Sequence, residues 1–361
     1  MEKRLMKGNE AIAEAAIRAG CRYFFGYPIT PQNEIPEYMA LHLPQYGGVF
    51  LQAESEVSAI NMVYGAAGAG ARVMTSSSSP GISLKMEGIS YIAAAELPCV
   101  IVNMMRGGPG LGGIQPSQAD YFQAVKGGGH GDYHMTVLAP ASVQEAFDLT
   151  MEAFEIADYY RNPVMILGDG VIGQMMEGVV LREPVKLEEL KEKEWATDGA
   201  VNREPNIINS LFLDAVKLEE HNLKLKAKYD LMREREARAE LYKMDDAEYA
   251  VVAYGTSARI SRSAVDEARK KGIRVGLIRP VSLFPFPEKI IRSTIAKTRT
   301  YLVVEMSLGQ MIEDLKLALN GKRPVCFYGR TGGILPLVDE ILESIELMRR
   351  GEGIEADCCL S

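Results

Sequence analysis

Two glutamates two positions apart, Glu54 and Glu56, stand where a short apolar run, Val49-Phe50-Leu51, gives way to small residues. The run follows Gly47-Gly48 and reads as a buried strand. Val57, Ile60, Met62 and Val63 then continue as a helix whose Ala and Gly residues permit close backbone approach. A carboxyl group at such a turn has two uses. In the first turn of a helix the dipole favours its negative charge. Held among apolar neighbours, desolvation favours its proton, which it can then share with a ligand. Generic helix packing does not ask for so many small residues after a carboxylate, whereas a ligand pressed against the backbone does. A second strand, Arg72 to Thr75, breaks into Ser76-Ser77-Ser78-Ser79-Pro80-Gly81. No G-x-S-x-G elbow surrounds these serines, so they read as a polar turn rather than a hydrolase nucleophile.

Other chemistry-bearing residues are fewer. The loops carry neither G-x-x-x-x-G-K-[ST] nor a well-placed G-x-G-x-x-G, which leaves a nucleotide P-loop unsupported. His42, His130, His134 and His221 lack ligand spacing except for His130 with Asp132 and His134, where structural or solvated histidines are the simpler reading. Arg106 opens a glycine-rich loop, Gly107 to Gly113, at the end of the apolar run Cys99 to Asn103.

The elements that position these residues alternate. Asn9 caps a first helix that Gly20 stops, and Tyr23 to Gly26 form a strand ending in Tyr27-Pro28-Ile29-Thr30-Pro31. Helices are expected to about Leu43, from Ile82 to about Ala95, around Ser117 to Val125, and from Ser142 to Asp158. Further strands are Cys99 to Asn103, Thr136 to Leu138, and Pro163 to Leu167 as the last of this half. Strands alternating with helices give a doubly wound α/β fold with a parallel sheet. Ligands bind such sheets beyond the carboxyl ends of the strands, where Thr30, Glu56, Ser79, Arg106 and Gly168-Asp169-Gly170 fall. The expected organisation is a first domain over 1–180, a charged linker over 181–247 and a second doubly wound domain over 248–361. The linker is read as free of strands, with one helix from about Ile207 to Lys243 whose Leu211, Ala215, Leu218, Leu225 and Leu231 pack one face.

Composition narrows the class. The chain has 361 residues, room for two domains. A net charge of −8 argues against phosphate-neutralising nucleic-acid binding. Its cysteines are Cys21, Cys99, Cys326, Cys358 and Cys359, with no CxxC pair, which fits neither an iron–sulfur cluster nor a disulfide framework. A reduced, cytoplasmic chain without signal peptide or membrane span is expected.

A carboxyl group that shares a proton with a heterocyclic nitrogen is what thiamine chemistry requires. Glutamate at N1′ of the aminopyrimidine favours the imino tautomer, whose 4′-nitrogen takes the proton from the thiazolium C2. Gly168-Asp169-Gly170 resembles the diphosphate and magnesium motif of thiamine diphosphate enzymes. That motif continues to an asparagine about a helix later, whereas the next one here is Asn202 in the charged linker. The glycine turn is therefore read as structural, and no metal is assigned to this chain.

Together GNEAIAEAAIRAGCRYFFGYPITP, FLQAESEVSAINMVYGAAGAGARVMTSSSSPG, RGGPGLGGIQPSQADYFQA, GGGHGDY and RNPVMILGDG resemble the α-subunit of 2-oxoacid:ferredoxin oxidoreductases over nearly the whole chain, most closely the 2-oxoisovalerate type. The resemblance implies that Glu56 contacts the aminopyrimidine, because the family's glycine nine residues on is matched by Gly65; Glu54 is the runner-up. It implies that Thr30 touches the substrate, that Arg106 binds the 2-oxo acid carboxylate, and that Tyr27, Pro28 and Ser79 line the pyrimidine pocket. It implies a pyrimidine-binding domain followed by a transketolase C-terminal-like domain. It further implies a β-subunit with the diphosphate and Mg2+ site, a γ-subunit, and a ferredoxin-like δ-subunit, with iron–sulfur clusters on partners only. The implied reaction decarboxylates a 2-oxo acid on thiamine diphosphate, passes electrons to ferredoxin and the acyl group to coenzyme A. The loop Gly108-Pro109-Gly110-Leu111-Gly112-Gly113 and the Glu-Ser-Glu lean towards a branched-chain acid rather than 2-oxoglutarate. Other readings stay open: the same role in a 2-oxoglutarate or pyruvate:ferredoxin oxidoreductase, a transketolase-like thiamine-dependent carboligase half-site, and a non-catalytic protein binding a small anionic metabolite.

Overall fold

Short apolar runs between amphipathic helices become two mainly parallel sheets in the computed structural model, which describes residues 2–352. The first unit runs β1 (Lys3–Lys7), α1 (Gly8–Arg18), β2 (Tyr23–Gly26), α2 (Glu34–His42), β3 (Val49–Gln52) and α3 (Glu56–Gly68). It continues through β4 (Val73–Ser77), α4 (Ser79–Ala94), β5 (Cys99–Met105), α5 (Tyr121–Val125) and β6 (Thr136–Leu138). Next come α6 (Val143–Tyr160), β7 (Pro163–Asp169), α7 (Gly170–Gln174) and β8 (Met176–Val180). A long helix, α8 (Ala215–Arg235), leads to β9 (Ala239–Tyr242), β10 (Tyr249–Val252), α9 (Gly255–Lys270), β11 (Val275–Pro280) and β12 (Ser282–Phe284). The last elements are α10 (Glu288–Thr294), β13 (Thr300–Glu305), α11 (Met311–Leu319), β14 (Val325–Gly329) and α12 (Val338–Arg350).

The seven-stranded sheet has the order β12-β6-β7-β5-β4-β2-β3, parallel throughout except where β12 meets β6. Alternate side chains serve opposite faces, and both faces are covered, as a parallel sheet requires. Phe24, Val100 and Ile166 pack with Ile12 and Phe147 on one side. Phe25, Ile101 and Leu167 pack with Ile60 and Ile89 on the other. Because β2 has β3 on one flank and β4 on the other, the strand order reverses there. A crevice opens at such a reversal, beyond the carboxyl ends of β2 and β4.

The five-stranded sheet has the order β14-β13-β10-β11-β9, with β9 antiparallel to β11. Its own reversal lies between β10 and β13, and Gln118 of the first unit fills it. Gln118 Nε2 donates to Tyr254 O at 2.9 Å, and its Oε1 accepts Ser257 Oγ at 2.6 Å and Met306 N at 3.0 Å. The crevice that could hold a ligand is thereby spent on joining the two units.

Several expectations need correction. Pro163 to Leu167 is not the last strand of its half: β8 follows and pairs antiparallel with β1, a two-stranded ribbon the apolar pattern did not show. Asn9 does not cap α1; it is buried inside the helix, where its amide donates to Pro31 O and Glu34 Oε2, both at 2.8 Å. The helix expected from Ser117 is confined to α5, because Ser117 and Gln118 bond to Met306 instead. The segment after residue 181 does contain a strand, β9, which joins the second sheet. Its helix is shorter than Ile207 to Lys243, since Asp214 caps it at Val216 and Lys217. The buried face of α8 is Leu225, Tyr229 and Met232, while Leu211 and Leu218 are exposed. Cys358 and Cys359 lie outside the described residues.

At the seam between α8 and β12, His134 stacks on Phe284 with ring centroids 4.3 Å apart, and Arg233 Nη2 stands 3.1 Å from its Nε2. Burial first, and the Arg233 charge second, push its pKa down to about 4. The unfolded imidazole titrates near 6.5 and therefore binds the extra proton between those two values. The stability contributed by neutral His134 is complete above about pH 6.5 and is lost as pH falls towards 4. The thermal unfolding temperature is expected to fall as pH drops through that window, and His134→Phe to flatten the curve there. An unchanged acid limb in the variant would assign it to carboxylates instead.

Candidate active site

The crevice at the β2–β4 reversal collects the candidate residues. Extended Ser55 ends the turn after β3, and its Oγ accepts Ser58 N at 3.2 Å, which starts α3 at Glu56. The cap sends the two carboxylates different ways: Glu54 is exposed, and Glu56 is turned inward with 6% exposure. Glu56 lies against Gly81 in the first turn of α4. A Cβ at Gly81 would stand 2.7 Å from Glu56 Oε1 and 2.0 Å from Ser77 Oγ, so any side chain there would displace the Glu56 carboxyl and the Ser77 hydroxyl. At this contact the Ser77 hydroxyl is buried and unpartnered among the described residues, as is the hydroxyl of the next residue, Ser78. Beneath it Lys85 is fully buried, its Nζ donating to Thr75 Oγ1 at 2.7 Å and Ser76 O at 3.0 Å. Burial pushes the Lys85 pKa down to about 7, against the opposing pull of Glu56 and Cys99.

A hydrogen-bonded chain links the ends of β4 and β5 to the substrate-side loop. Ser79 N donates to Asn103 Oδ1 at 3.1 Å, and Ser79 Oγ donates to Asp120 Oδ2 at 2.6 Å while accepting Arg106 N at 3.0 Å. Asn103 Nδ2 donates to the same Asp120 oxygen at 3.0 Å. Burial raises the Asp120 pKa, against these two donors. Ser79 holds φ at +21°, uncommon for a non-glycine residue, and these bonds fix it there. The Arg106 guanidinium donates from Nη1 to Thr30 O and from Nη2 to Leu111 O, both at 3.1 Å. Its Nε is buried without a partner among the described residues. Arg106 thus ties the turn after β2 to the glycine loop through one N–H of each Nη, and its Nε and the second N–H of each Nη stay uncommitted among the described residues.

Of the sequence candidates, the structure brings Glu56 to Ser77 and Gly81, and joins Ser79, Arg106 and Thr30 by hydrogen bonds. Ser79 spends its hydroxyl inside the protein. Tyr27, Pro28 and Thr30 are exposed at the end of β2. Asp169 caps α7, its Oδ1 accepting Val171 N at 2.9 Å and Thr256 Oγ1 at 2.8 Å. It is fully engaged in joining the units. Among the described residues no three His, Cys, Asp or Glu side chains converge as a metal site. Sequence reasoning missed Lys85, Asn103, Asp120 and Gln118. Lys85 alone left a signal: a lysine on the apolar stripe Ile82, Met86, Ile89.

The chain matches the family model described as pyruvate flavodoxin/ferredoxin oxidoreductase, thiamine diphosphate-binding, over residues 14–243. Pyruvate:ferredoxin oxidoreductase core domain II matches over residues 247–341. This chain belongs to the 2-oxoacid:ferredoxin oxidoreductase family. It is 54% identical to the ketoisovalerate oxidoreductase subunit VorB of Methanothermobacter marburgensis, over 96% of this chain and 97% of that one. It is 38% identical to the 2-oxoglutarate synthase subunit KorA of Methanothermobacter thermautotrophicus, over 97% of this chain and 100% of that one. A solved 2-oxoglutarate:ferredoxin oxidoreductase from Magnetococcus marinus superposes with a TM-score of 0.85 at 26% identity, covering 98% of this chain and 65% of that chain. Within the family's thiamine diphosphate-binding region, the residues present suit an aminopyrimidine. A buried carboxylate can meet a ring nitrogen, and the unpartnered Ser77 hydroxyl stands beside it.

Proposed function

We propose that this chain is the subunit that supplies the pyrimidine-facing half of a thiamine diphosphate site in a branched-chain 2-oxoacid:ferredoxin oxidoreductase. The observation that carries the proposal is the inward turn of Glu56 against Gly81, beside the unpartnered Ser77 hydroxyl. Glu56 holds and exchanges a proton at the pyrimidine ring nitrogen, with its charge favoured by the start of α3. Tyr27 and Pro28 line the ring, and Ser79 acts by fixing Arg106. Arg106 and Thr30 bind the carboxylate of the 2-oxo acid, a task suited to a planar cation with paired donors. Thiamine diphosphate, when bound, supplies the nucleophile for the 2-oxo carbon and the electron sink for decarboxylation.

A partner must complete the site. On this reading residues 1–180 form the pyrimidine-binding domain, 181–247 the linker and 248–361 the transketolase C-terminal-like domain. A β-subunit holds the diphosphate and Mg2+, and γ and ferredoxin-like δ subunits carry coenzyme A and iron–sulfur chemistry in the cytoplasm. Two features support a partner chain. The sheet ends at β3, an edge strand whose Val49 and Leu51 are exposed beside Tyr23, Tyr46 and Val57. Gly65 on α3 is exposed, and a Cβ there would meet nothing within 4 Å, so packing within this chain does not account for it.

The substrate reading rests on the loop held by Arg106. Leu111 and Ile114 are 82% and 58% exposed there, and Gly107 to Gly113 carry no charged side chain. Apolar residues next to the carboxylate-binding cation suit a branched chain, although each methylene discriminates by only about 1–3 kcal/mol. The complex assembled with its partners is expected to turn over 2-oxoisovalerate with a higher kcat/KM than 2-oxoglutarate, measured with coenzyme A and an artificial electron acceptor. A preference for 2-oxoglutarate would keep the family and overturn the substrate.

A further inference from the structure

Asp120 is a carboxylate at the crevice for which the reading above has no use. It is half-buried at the start of α5, and the second unit fixes the backbone on both sides of it. Gln310 Nε2 donates to Ala119 O at 2.7 Å, and Gln310 Oε1 accepts Phe122 N at 2.8 Å. One oxygen of Asp120, Oδ2, accepts both Ser79 Oγ at 2.6 Å and Asn103 Nδ2 at 3.0 Å. Asn103 Oδ1 accepts Ser79 N at 3.1 Å, so Ser79, Asn103 and Asp120 close a ring at the first residue of α4. The ring decides where the Ser79 hydroxyl points. Its single hydrogen has a second acceptor in reach, Arg106 O at 3.3 Å. A carboxylate oxygen at 2.6 Å outcompetes a neutral carbonyl at 3.3 Å, so the hydrogen goes to Asp120. A lone pair of Ser79 Oγ is then left facing Arg106 N, which donates to it at 3.0 Å. The Arg106 backbone is fixed in this way immediately after β5, and from there its side chain reaches Thr30 O and Leu111 O.

We propose that Asp120 is a positioning residue for Arg106. By accepting the Ser79 hydroxyl and the Asn103 amide on one oxygen, it turns the Ser79 oxygen to the Arg106 N–H. The guanidinium is thereby held ready for the carboxylate of the 2-oxo acid. The proposal rests on the assignment of Arg106 to that carboxylate. Asp120 serves as an acceptor, and not as a charge or a proton carrier. An asparagine whose amide oxygen takes the place of Oδ2 can accept both donors. Without an acceptor the hydroxyl turns to Arg106 O, Asn103 Nδ2 loses its partner, and Ser79 loses one of the bonds that keep its φ at +21°. The guanidinium then samples orientations that miss the carboxylate, a cost that appears in substrate binding rather than in the later steps.

The test uses the chain assembled with its partner subunits and thiamine diphosphate, with coenzyme A and an artificial electron acceptor. KM and kcat are read for whichever of 2-oxoisovalerate and 2-oxoglutarate the complex turns over better, together with the cofactor affinity. Asp120→Ala is expected to raise KM about 10–100-fold, with kcat and thiamine diphosphate affinity near those of the unaltered complex. Asp120→Asn is expected to keep KM near the unaltered value. An unchanged KM in Asp120→Ala overturns the proposal. So does a fall of kcat and cofactor affinity alongside the KM rise, which marks a carboxylate that serves the fold. An Asp120→Asn variant as impaired as Asp120→Ala would mark a role for the charge and overturn it too. Ser79→Ala tests the route: combined with Asp120→Ala it is expected to give the KM of the more affected single variant, because both break one chain. Effects that multiply would place Asp120 on another route. If Asp120→Ala does not assemble, Ser79→Ala alone carries the test, with the same KM rise expected and an unchanged KM overturning the proposal. Arg106→Met in parallel separates the two levels. If it leaves KM unchanged, the Arg106 assignment fails, and Asp120 with it. If it raises KM while Asp120→Ala does not, only the Asp120 role fails.

Discussion

Glu56→Gln is expected to cut turnover of the 2-oxo acid by the assembled complex by about 10²–10⁴-fold, the usual weight of one positioned acid–base group. The substitution is nearly isosteric, so the contact with Gly81 survives, and the folded chain should unfold at close to the same temperature. What is lost is the ability to take and return a proton. Glu54→Gln is the matched control, since Glu54 stands outside the cap and is exposed. Steady-state turnover of both variants decides the matter. Full activity in Glu56→Gln with loss in Glu54→Gln would reverse the assignment.

Arg106→Met is expected to lower kcat/KM for the 2-oxo acid by about 10²–10³-fold, corresponding to a few kcal/mol for lost charge-assisted bonds to a carboxylate. The guanidinium is anchored at Thr30 O and Leu111 O, so its orientation is fixed before substrate arrives. Arg106→Lys should recover little, because a point charge cannot hold both carbonyls and also present paired donors. The discriminating readout is thiamine diphosphate affinity, which should stay near that of the unaltered complex. A parallel loss of cofactor affinity would mean that Arg106 acts by holding the loop rather than by binding the acid.

The sequence carried the class of fold and the place of the site for physical reasons. Parallel strands buried on both faces read as continuous apolar runs, and the residues that follow them fall by rule at the carboxyl edge of the sheet. Membership of the oxidoreductase family was legible in the motifs around Tyr27, Glu56, Ser79 and Arg106. The small residues after Glu56 were legible only in part. Ala59 and Ala67 are buried, and a Cβ on Gly88 would stand 2.5 Å from Ile60 Cγ2, so close packing of α3 on α4 accounts for these small residues without a ligand. Asn9 shows the opposite failure. A residue type that favours caps was instead buried to satisfy Pro31 O, a contact 22 residues away that no local pattern encodes. The ribbon of β1 with β8 and the capture of Gln118 by the second sheet are likewise long-range pairings. Lys85 hid for a different reason: helical periodicity marks its position as core, and the acceptors of its amine, Thr75 Oγ1 and Ser76 O, lie on a different element, β4.

The most direct measurement is the structure of the complex assembled with its partner subunits and thiamine diphosphate, read at one distance. A Glu56 carboxylate oxygen within about 2.6–3.2 Å of the pyrimidine N1′ is the expected result. A pyrimidine that meets Glu54, or no carboxylate of this chain, would contradict the assignment on which the rest depends.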